Sequence, residues 1–331
     1  AHGFYSHYAD LLPPPKRKLI RIIKGGPGCG KSTLMRKIAA QAAQQGLSTE
    51  CILCSSDPDS LDGIVIPEAG YALVDGTAPH VVEPALCGNQ ELYLDLGRGY
   101  NAASMSSCGS ALREIQEAGK ACYLPAAACL QAAASLTLPA RAPHGALSEI
   151  LAEQILQKEI PARGEGGTLR TIFLSAFTPS GLLCRWDTVS NCCSKVYLLQ
   201  GTLAEVSQFL QYLSRKICAA GWDVLQCDSP LFPGRYLEHL LIPQRSLGFV
   251  WNNPQLPYPL VPDYLLGESK PDPSAHTLQT RLIQTAIGHL HRAKEYHDLL
   301  ERACAPFVDF SAAEQAFTLC SGELASLTAQ K

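Results

Sequence analysis

The run Gly25-Gly26-Pro27-Gly28-Cys29-Gly30-Lys31-Ser32-Thr33 sets glycines ahead of a lysine and two hydroxyls at the spacing of a phosphate-binding loop. Glycines without a Cβ let consecutive backbone N–H groups curl around a phosphate at the positive end of a following helix. Lys31 then reaches the β- and γ-phosphates as a point charge, and the Ser32 hydroxyl ligates Mg2+. A glycine-rich turn is the plain alternative, but a bare turn needs neither the Lys-Ser pair nor a strand and helix around it.

A loop that holds a nucleotide needs a second acid to hold the metal. Tyr71-Ala72-Leu73-Val74-Asp75 is an apolar strand ending in a carboxylate, the way a Walker B acid is presented at the carboxyl edge of a parallel sheet. Asp75 is therefore assigned to Mg2+ with Ser32, against the plainer reading of an Asp75-Gly76 turn. Asp57, Asp59 and Asp62 follow the second strand, and His80 follows the metal acid. They are candidates for a general base or an acceptor contact, set against ordinary duty in turns and helix caps.

These groups need elements to position them. Leu19-Ile20-Arg21-Ile22-Ile23 is a β-branched run suited to a buried strand, and Leu34, Met35, Ile38 and Ala42 recur at helical spacing until Gly46. The pattern predicts an α/β chain with the P-loop NTPase fold: a three-layer α/β/α arrangement on a mainly parallel sheet, duplicated, with helical extensions after each repeat. The predicted division is a nucleotide-binding domain over 1–160, a linker over 161–167 (Pro161-Ala162-Arg163-Gly164-Glu165-Gly166-Gly167) and a second, degenerate repeat over 168–331. Helical stretches are predicted over 102–136, 146–159 and 276–318, as packed hairpins or as surfaces for a protein partner.

Composition narrows the function classes. A chain of 331 residues, 47% hydrophobic and 17% charged, has apolar material for two cores. A net charge of −3 leaves no electrostatic footprint for nucleic acid, and the basic cluster Lys16, Arg17, Lys18, Arg21, Lys24 reads as a solvated approach to the first strand. Fourteen cysteines in a long chain without a signal peptide or membrane span predict reduced thiols and a cytoplasmic setting. Cys51 and Cys54 mimic half a metal knuckle, but strand alternation points them to opposite faces and no second pair matches. Cys29 sits where a helix terminus lowers a thiol pKa, although loop filling is the simpler role.

The two halves share a pattern. Leu19 to Gly25 returns in kind as Lys195 to Gly201, and Ile66-Pro67-Glu68 returns as Ile242-Pro243-Gln244, both at an offset of 176. In that register Cys29, Gly30, Lys31 and Ser32 face Glu205, Val206, Ser207 and Gln208, and Asp75 faces Trp251. The second copy thus lacks both lysine and metal acid, and nucleotide binding is expected only in the first.

The glycine loop, Cys54-Ser55-Ser56-Asp57-Pro58-Asp59-Ser60-Leu61-Asp62-Gly63, Ile66-Pro67-Glu68 and Val74-Asp75-Gly76-Thr77-Ala78-Pro79-His80 together resemble a bacterial family of tandem P-loop NTPases, described as ATPases or nucleotide kinases of unassigned substrate. Gly3-Phe4-Tyr5-Ser6 and Ala176-Phe177-Thr178-Pro179-Ser180-Gly181 also look like that family's repeat starts. The resemblance implies that the backbone amides of Gly26 to Thr33 embrace the phosphates, that Lys31 bridges β and γ, and that Ser32 with Asp75 organises Mg2+. Family members carry a working loop in both repeats, and this chain departs from them in the second.

Three functions follow as expectations: a Mg-ATP-dependent ATPase with one active site, a small-molecule or nucleotide kinase, and a nucleotide sensor without turnover. No arginine lies between Arg36 and Arg98, which weakens the kinase reading. An arginine finger would come from the second repeat, where Arg185, Arg215, Arg235 and Arg245 are available.

Overall fold

The computed structural model describes residues 5–8, 11–12, 16–78, 81–85, 88–136, 149–164, 166–267 and 273–329. His80 and the pair Gly3-Phe4 lie outside the described residues. The β-branched run before the glycines forms β1 (Leu19–Lys24), and the periodic segment after them forms α1 (Lys31–Gln44), which ends before Gly46 at φ 71°. There follow β2 (Glu50–Leu53), β3 (Leu61–Ile66), β4 (Tyr71–Asp75) and β5 (Glu91–Asp95), then helices α2 (Ala102–Ser106), α3 (Gly109–Ala121), α4 (Tyr123–Leu136) and α5 (Glu149–Glu159). The later half runs β6 (Leu169–Ile172), β7 (Ser175–Thr178), β8 (Gly181–Cys184), α6 (Trp186–Cys192), β9 (Lys195–Gln200), α7 (Leu203–Ala219), β10 (Val224–Asp228), β11 (Leu237–Ile242), β12 (Leu247–Trp251) and β13 (Tyr264–Gly267). Two long helices close the chain, α8 (Pro273–Cys304) and α9 (Ser311–Ala329).

The chain is α/β with mixed sheets and divides into two units. One comprises residues 8–125 and 288–331, the other residues 1–7 and 126–287. The C-terminal residues 288–331, assigned from the sequence to the second repeat, thus group with the glycine loop. The cause is visible on α9, whose small apolar stripe Ala316, Cys320 and Leu324 joins the core of α1 (Leu34, Met35, Ile38, Ala42) and the sheet (Ile64, Ile66, Leu73).

In this unit the strands run β2-β3-β4-β1-β5, with β1 parallel to both β4 and β5. The expected mainly parallel sheet is not what forms, because β3 is antiparallel to β2 and to β4. Ile66 and Tyr71 are joined by one 3-10 turn (Pro67–Ala69) and Gly70, a connection too short for the crossover that parallel strands require. Gly70 (φ 63°) closes the turn, and a Cβ there would lie 2.5 Å from the Lys16 carbonyl. Every residue of β3 and β4 is buried, so both sheet faces are covered. Ile23, Tyr71 and Leu73 face α1, while Ile20, Ile22, Ala72 and Val74 pack with Leu11 and Leu12 on the other side.

In the other unit the order is β13-β9-β12-β11-β10-β6, with β7 and β8 as a separate two-stranded ribbon. Apart from β6, strand order and directions match the first sheet. Leu19 pairs with Tyr71 as Lys195 pairs with Leu247, and Gly63 faces Val74 as His239 faces Val250, all offset by 176. Irregularities match too: the register slips between Ile52 and Leu53 and between Cys227 and Asp228. Ser246 (φ 50°) occupies the position of Gly70 and is the one non-glycine among the described residues at positive φ.

The helices fall one residue out of that register. Ser32 Oγ accepts the Leu61 N–H at 3.0 Å, and Ser207 Oγ accepts the Leu237 N–H at 2.8 Å. Ser207 therefore stands where Ser32 does, Val206 where Lys31 does and Glu205 where Gly30 does, which corrects the alignment read from the sequence. The loop region differs as well. Only Gly201 and Thr202 separate β9 from α7, and Thr202 with Glu205 forms a capping box that satisfies the helix terminus internally.

Residues 161–164 and 166–167, read from composition as a linker, are tied down. The Arg163 N–H donates to Ala220 O and the Gly167 N–H to Cys218 O, each at 2.8 Å, and Trp222 Nε1 donates to Pro161 O at 2.8 Å. Gly167 packs against the Trp222 backbone so closely that no side chain fits. Among the described residues no helix is long and apolar enough to cross a membrane, and every described cysteine is free.

Candidate functional site

The glycine loop leaves the end of β1 and enters α1 through two residues in the left-handed region, Gly28 (φ 75°) and Gly30 (φ 91°), which only glycine adopts at little cost. Gly30 is the N-cap of α1 and provides no side-chain oxygen, and no acid sits in the first turn. The N-terminal N–H groups of α1 thus lack the side-chain cap that Thr202 provides for α7, and their dipole favours an anion.

Lys31 folds back over the loop. Its Nζ donates to Gly25 O at 2.7 Å and Gly26 O at 2.9 Å, and lies 3.6 Å from Asp75 Oδ2. Asp75 ends β4 beside Ile23 of β1 and is 7% exposed. Its Oδ1 accepts the Thr77 N–H at 2.8 Å. Thr77 in turn grips the start of the loop: its hydroxyl donates to Gly25 O at 2.9 Å and accepts the Gly25 N–H at 3.2 Å. The acid and the loop are thereby held to each other by one threonine.

Ser32 lies in the first turn of α1, and its bond to the Leu61 N–H puts the start of β3 beside it. The β3–β4 register continued one step sets Asp62 opposite Asp75. Asp62 is buried and accepts from the Tyr8 hydroxyl at 3.2 Å. Burial, reinforced by Asp62, raises the Tyr8 pKa, so this phenol stays protonated and keeps donating.

Other expectations fare differently. Asp57 pairs with Lys294 at 3.4 Å, and its carbonyl accepts the Ser60 N–H at 2.8 Å in a turn. Asp59 is exposed, and its carbonyl accepts from the Arg36 guanidinium. Neither is drawn into the Lys31–Asp75 constellation. Cys29 is 2% exposed within the α1 core, and burial pushes its thiol up, outweighing the pull of Lys31 in the other direction. It fills space in that core. Pro27 O accepts from the Tyr100 hydroxyl, and Thr33 is exposed on α1. Of the arginines considered as a finger, Arg185 pairs with Asp187 at 2.7 Å, Arg235 covers the Tyr236 ring, Arg245 donates to Glu159 O at 3.2 Å, and Arg215 is exposed.

Three site residues escaped the sequence reading. Thr77 had a faint signal, a hydroxyl two residues past the acid. Tyr100 and Glu301 had none. A Cβ on Gly26 would meet the Tyr100 hydroxyl at 2.8 Å, and Glu301 Oε1 accepts the Gly28 N–H at 3.2 Å.

Among the described residues no three His, Cys, Asp or Glu side chains gather to hold a metal. Ser32 and Asp75 fit a hard cation that takes its remaining ligands from phosphate oxygens and water, as Mg2+ does. What the geometry defines is a mixed α/β protein with a helix terminus, a lysine and a buried carboxylate converging on one glycine loop. Comparisons with protein-family models, with curated proteins and with solved structures return no match to this chain.

Proposed function

We propose that the chain is a P-loop NTPase that binds a Mg-nucleoside triphosphate, with ATP the expected one, at Gly25 to Thr33 and hydrolyses it at a single site. The observation that carries this reading is Lys31 placed between the Gly25 and Gly26 carbonyls and Asp75, at the mouth of a loop opened by Gly28 and Gly30. The β- and γ-phosphates would take over Lys31, the α1 N–H groups would donate to their oxygens, and Mg2+ would sit between them, Ser32 and Asp75. Asp62, across the ladder from Asp75 and buried beside the Tyr8 hydroxyl, is the carboxylate best placed to orient a water, since Asp57 pairs with Lys294 and Asp59 is exposed on the β2–β3 connection.

The matching registers of the two sheets support an internal duplication, and Val206, Trp251 and the Thr202–Glu205 capping box support a second copy without nucleotide. Trp251 Nε1 donates to Gly201 O at 3.0 Å, satisfying the carbonyl that corresponds to the one Lys31 and Thr77 share at Gly25. Localisation in a cytoplasm and a protein partner on the helical extensions remain part of the proposal, from composition alone.

The test is incubation of the full chain with ATP labelled at the γ-phosphoryl group, Mg2+ and a metabolite pool. Release of inorganic phosphate without a labelled acceptor is the expected result. A labelled metabolite would replace hydrolysis by kinase chemistry, and binding without either product would leave a sensor.

A further inference from the structure

The C-terminal segment lies against the glycine loop, and its chemistry is that of a competitor. Glu301 on α8 puts Oε1 3.2 Å from the Gly28 nitrogen, accepting the N–H of a loop residue whose left-handed conformation turns it toward an anion. The approach is close along the whole face: a Cβ on Gly28 would stand 3.6 Å from Glu301 O, and one on Gly30 would stand 3.5 Å from the Ala313 side chain and 3.8 Å from the Phe310 ring. The carboxylate is kept ionised chiefly by His297, with help from the Gly28 N–H and Lys294.

Two anchors hold this segment. The Asn101 N–H donates to Phe307 O at 2.9 Å and the Asp309 N–H to Gly99 O at 2.7 Å, pinning the connection between α8 and α9 to the residues after β5. On α8 itself, Lys294 bridges Asp298 at 2.6 Å and Asp57 at 3.4 Å, so the helix face that carries Glu301 also holds the β2–β3 connection. α9 is fixed differently, by core packing and by Glu323, which accepts from the Tyr71 hydroxyl at 2.9 Å. The end of α8 also buries Leu300 and Cys304, but the contacts made by Glu301 and Lys294 are hydrogen bonds and ion pairs that water can replace, and they are the part free to yield.

We propose that Glu301 is a built-in occupant of a phosphate-oxygen position at Gly28, so that the end of α8 masks the loop and a nucleotide must displace it. The proposal rests on the nucleotide reading above. One carboxylate oxygen on one N–H is a weaker guest than a triphosphate spread over several N–H groups, Lys31 and a metal. The mask therefore lowers apparent affinity without abolishing it, by the fraction of chains in which it is open. A charge-assisted hydrogen bond of this kind corresponds to about tenfold.

The experiment measures the Kd of MgATP and of Mg-tripolyphosphate on the full chain for wild type, Glu301→Gln, Glu301→Ala and Lys31→Ala. Tripolyphosphate reads the phosphate positions without a base. Both Glu301 variants should bind both ligands about tenfold more tightly than wild type, and Lys31→Ala should bind neither. Unchanged or weaker binding by Glu301 variants, with wild type still binding, overturns the mask and leaves the nucleotide site standing. No binding by any form removes the nucleotide site and the mask with it. A second measurement needs no variant: hydrogen exchange of peptides covering 294–310 in wild type should quicken on adding MgATP, and unaltered exchange at saturation contradicts the proposal.

Discussion

Two neighbouring buried groups in the second unit make a prediction whose size follows from their environment. Glu238 is sealed in, its Oε2 accepting from Ser175 Oγ at 2.7 Å, and burial raises its carboxyl from 4.5 to about 7. His239 beside it is pushed by burial from 6.5 down to about 3, and its Nδ1 accepts the Trp251 N–H at 3.2 Å. The folded pKa of Glu238 lies above its unfolded value, so its contribution to stability is complete below pH 4.5 and is lost as pH rises through 7. The folded pKa of His239 lies below its unfolded value, so its contribution is complete above pH 6.5 and is lost as pH falls toward 3. Each changes stability by about 1.4 kcal/mol per pH unit inside its window, and in the overlap from pH 4.5 to 6.5 the two slopes oppose and cancel. His239 Nε2 stands 3.9 Å from Glu238 Oε2, so Glu238→Gln removes one slope and also takes from His239 a neighbour that would favour its charged form, which leaves the histidine slope in place. Relative to wild type, the variant should lose about 3 kcal/mol between pH 6.5 and pH 4.5. The assay is urea unfolding followed by tryptophan fluorescence at pH 4.5, 5.5 and 6.5. All three tryptophans, Trp186, Trp222 and Trp251, belong to this unit, so the signal reports it alone. Groups common to both proteins drop out of the difference. Parallel pH profiles for wild type and variant would refute the burial argument.

Two further substitutions test the candidate site. Thr77→Val keeps the shape and removes the hydroxyl that donates to and accepts from Gly25; nucleotide affinity should fall about tenfold and stability by about 1–2 kcal/mol, and Thr77→Ser should restore both. Among the acids, Asp62→Asn should lower kcat by about 10²-fold while Asp57→Asn and Asp59→Asn stay within about twofold of wild type. Equal losses at all three positions would separate the β3 carboxylate from the chemistry assigned to it.

What was legible in the sequence was local. Ile20, Ile22 and Ile23 announce a strand, Leu34, Met35 and Ile38 a helix, and the glycines between them a turn, because each pattern arises from period and backbone freedom within a few residues. The antiparallel β3 was also encoded locally, in Pro67 to Gly70, but a strand's own pattern carries no direction. The helix register of the second half was missed by one residue because the stretch from β9 to Ser207 is one residue shorter than that from β1 to Ser32, a deletion that side-chain similarity alone does not expose. Glu301 was invisible for a different reason. A glutamate on a long helix reads as a solvated charge, and what makes it a partner of Gly28 is the packing of α9 on α1, which brings together residues 273 positions apart. Asp57 and Asp62 have similar local contexts, and tertiary contacts tell them apart: the ladder beside Asp75 and the Tyr8 hydroxyl for Asp62, the ion pair with Lys294 for Asp57.

The central claim is one nucleotide site per chain, built on Lys31. Calorimetric titration of the full chain with MgATP, beside Lys31→Ala, tests it most directly. The account predicts one ATP bound per wild-type chain and none to the variant. Two per chain, or a variant that binds as wild type does, would contradict it.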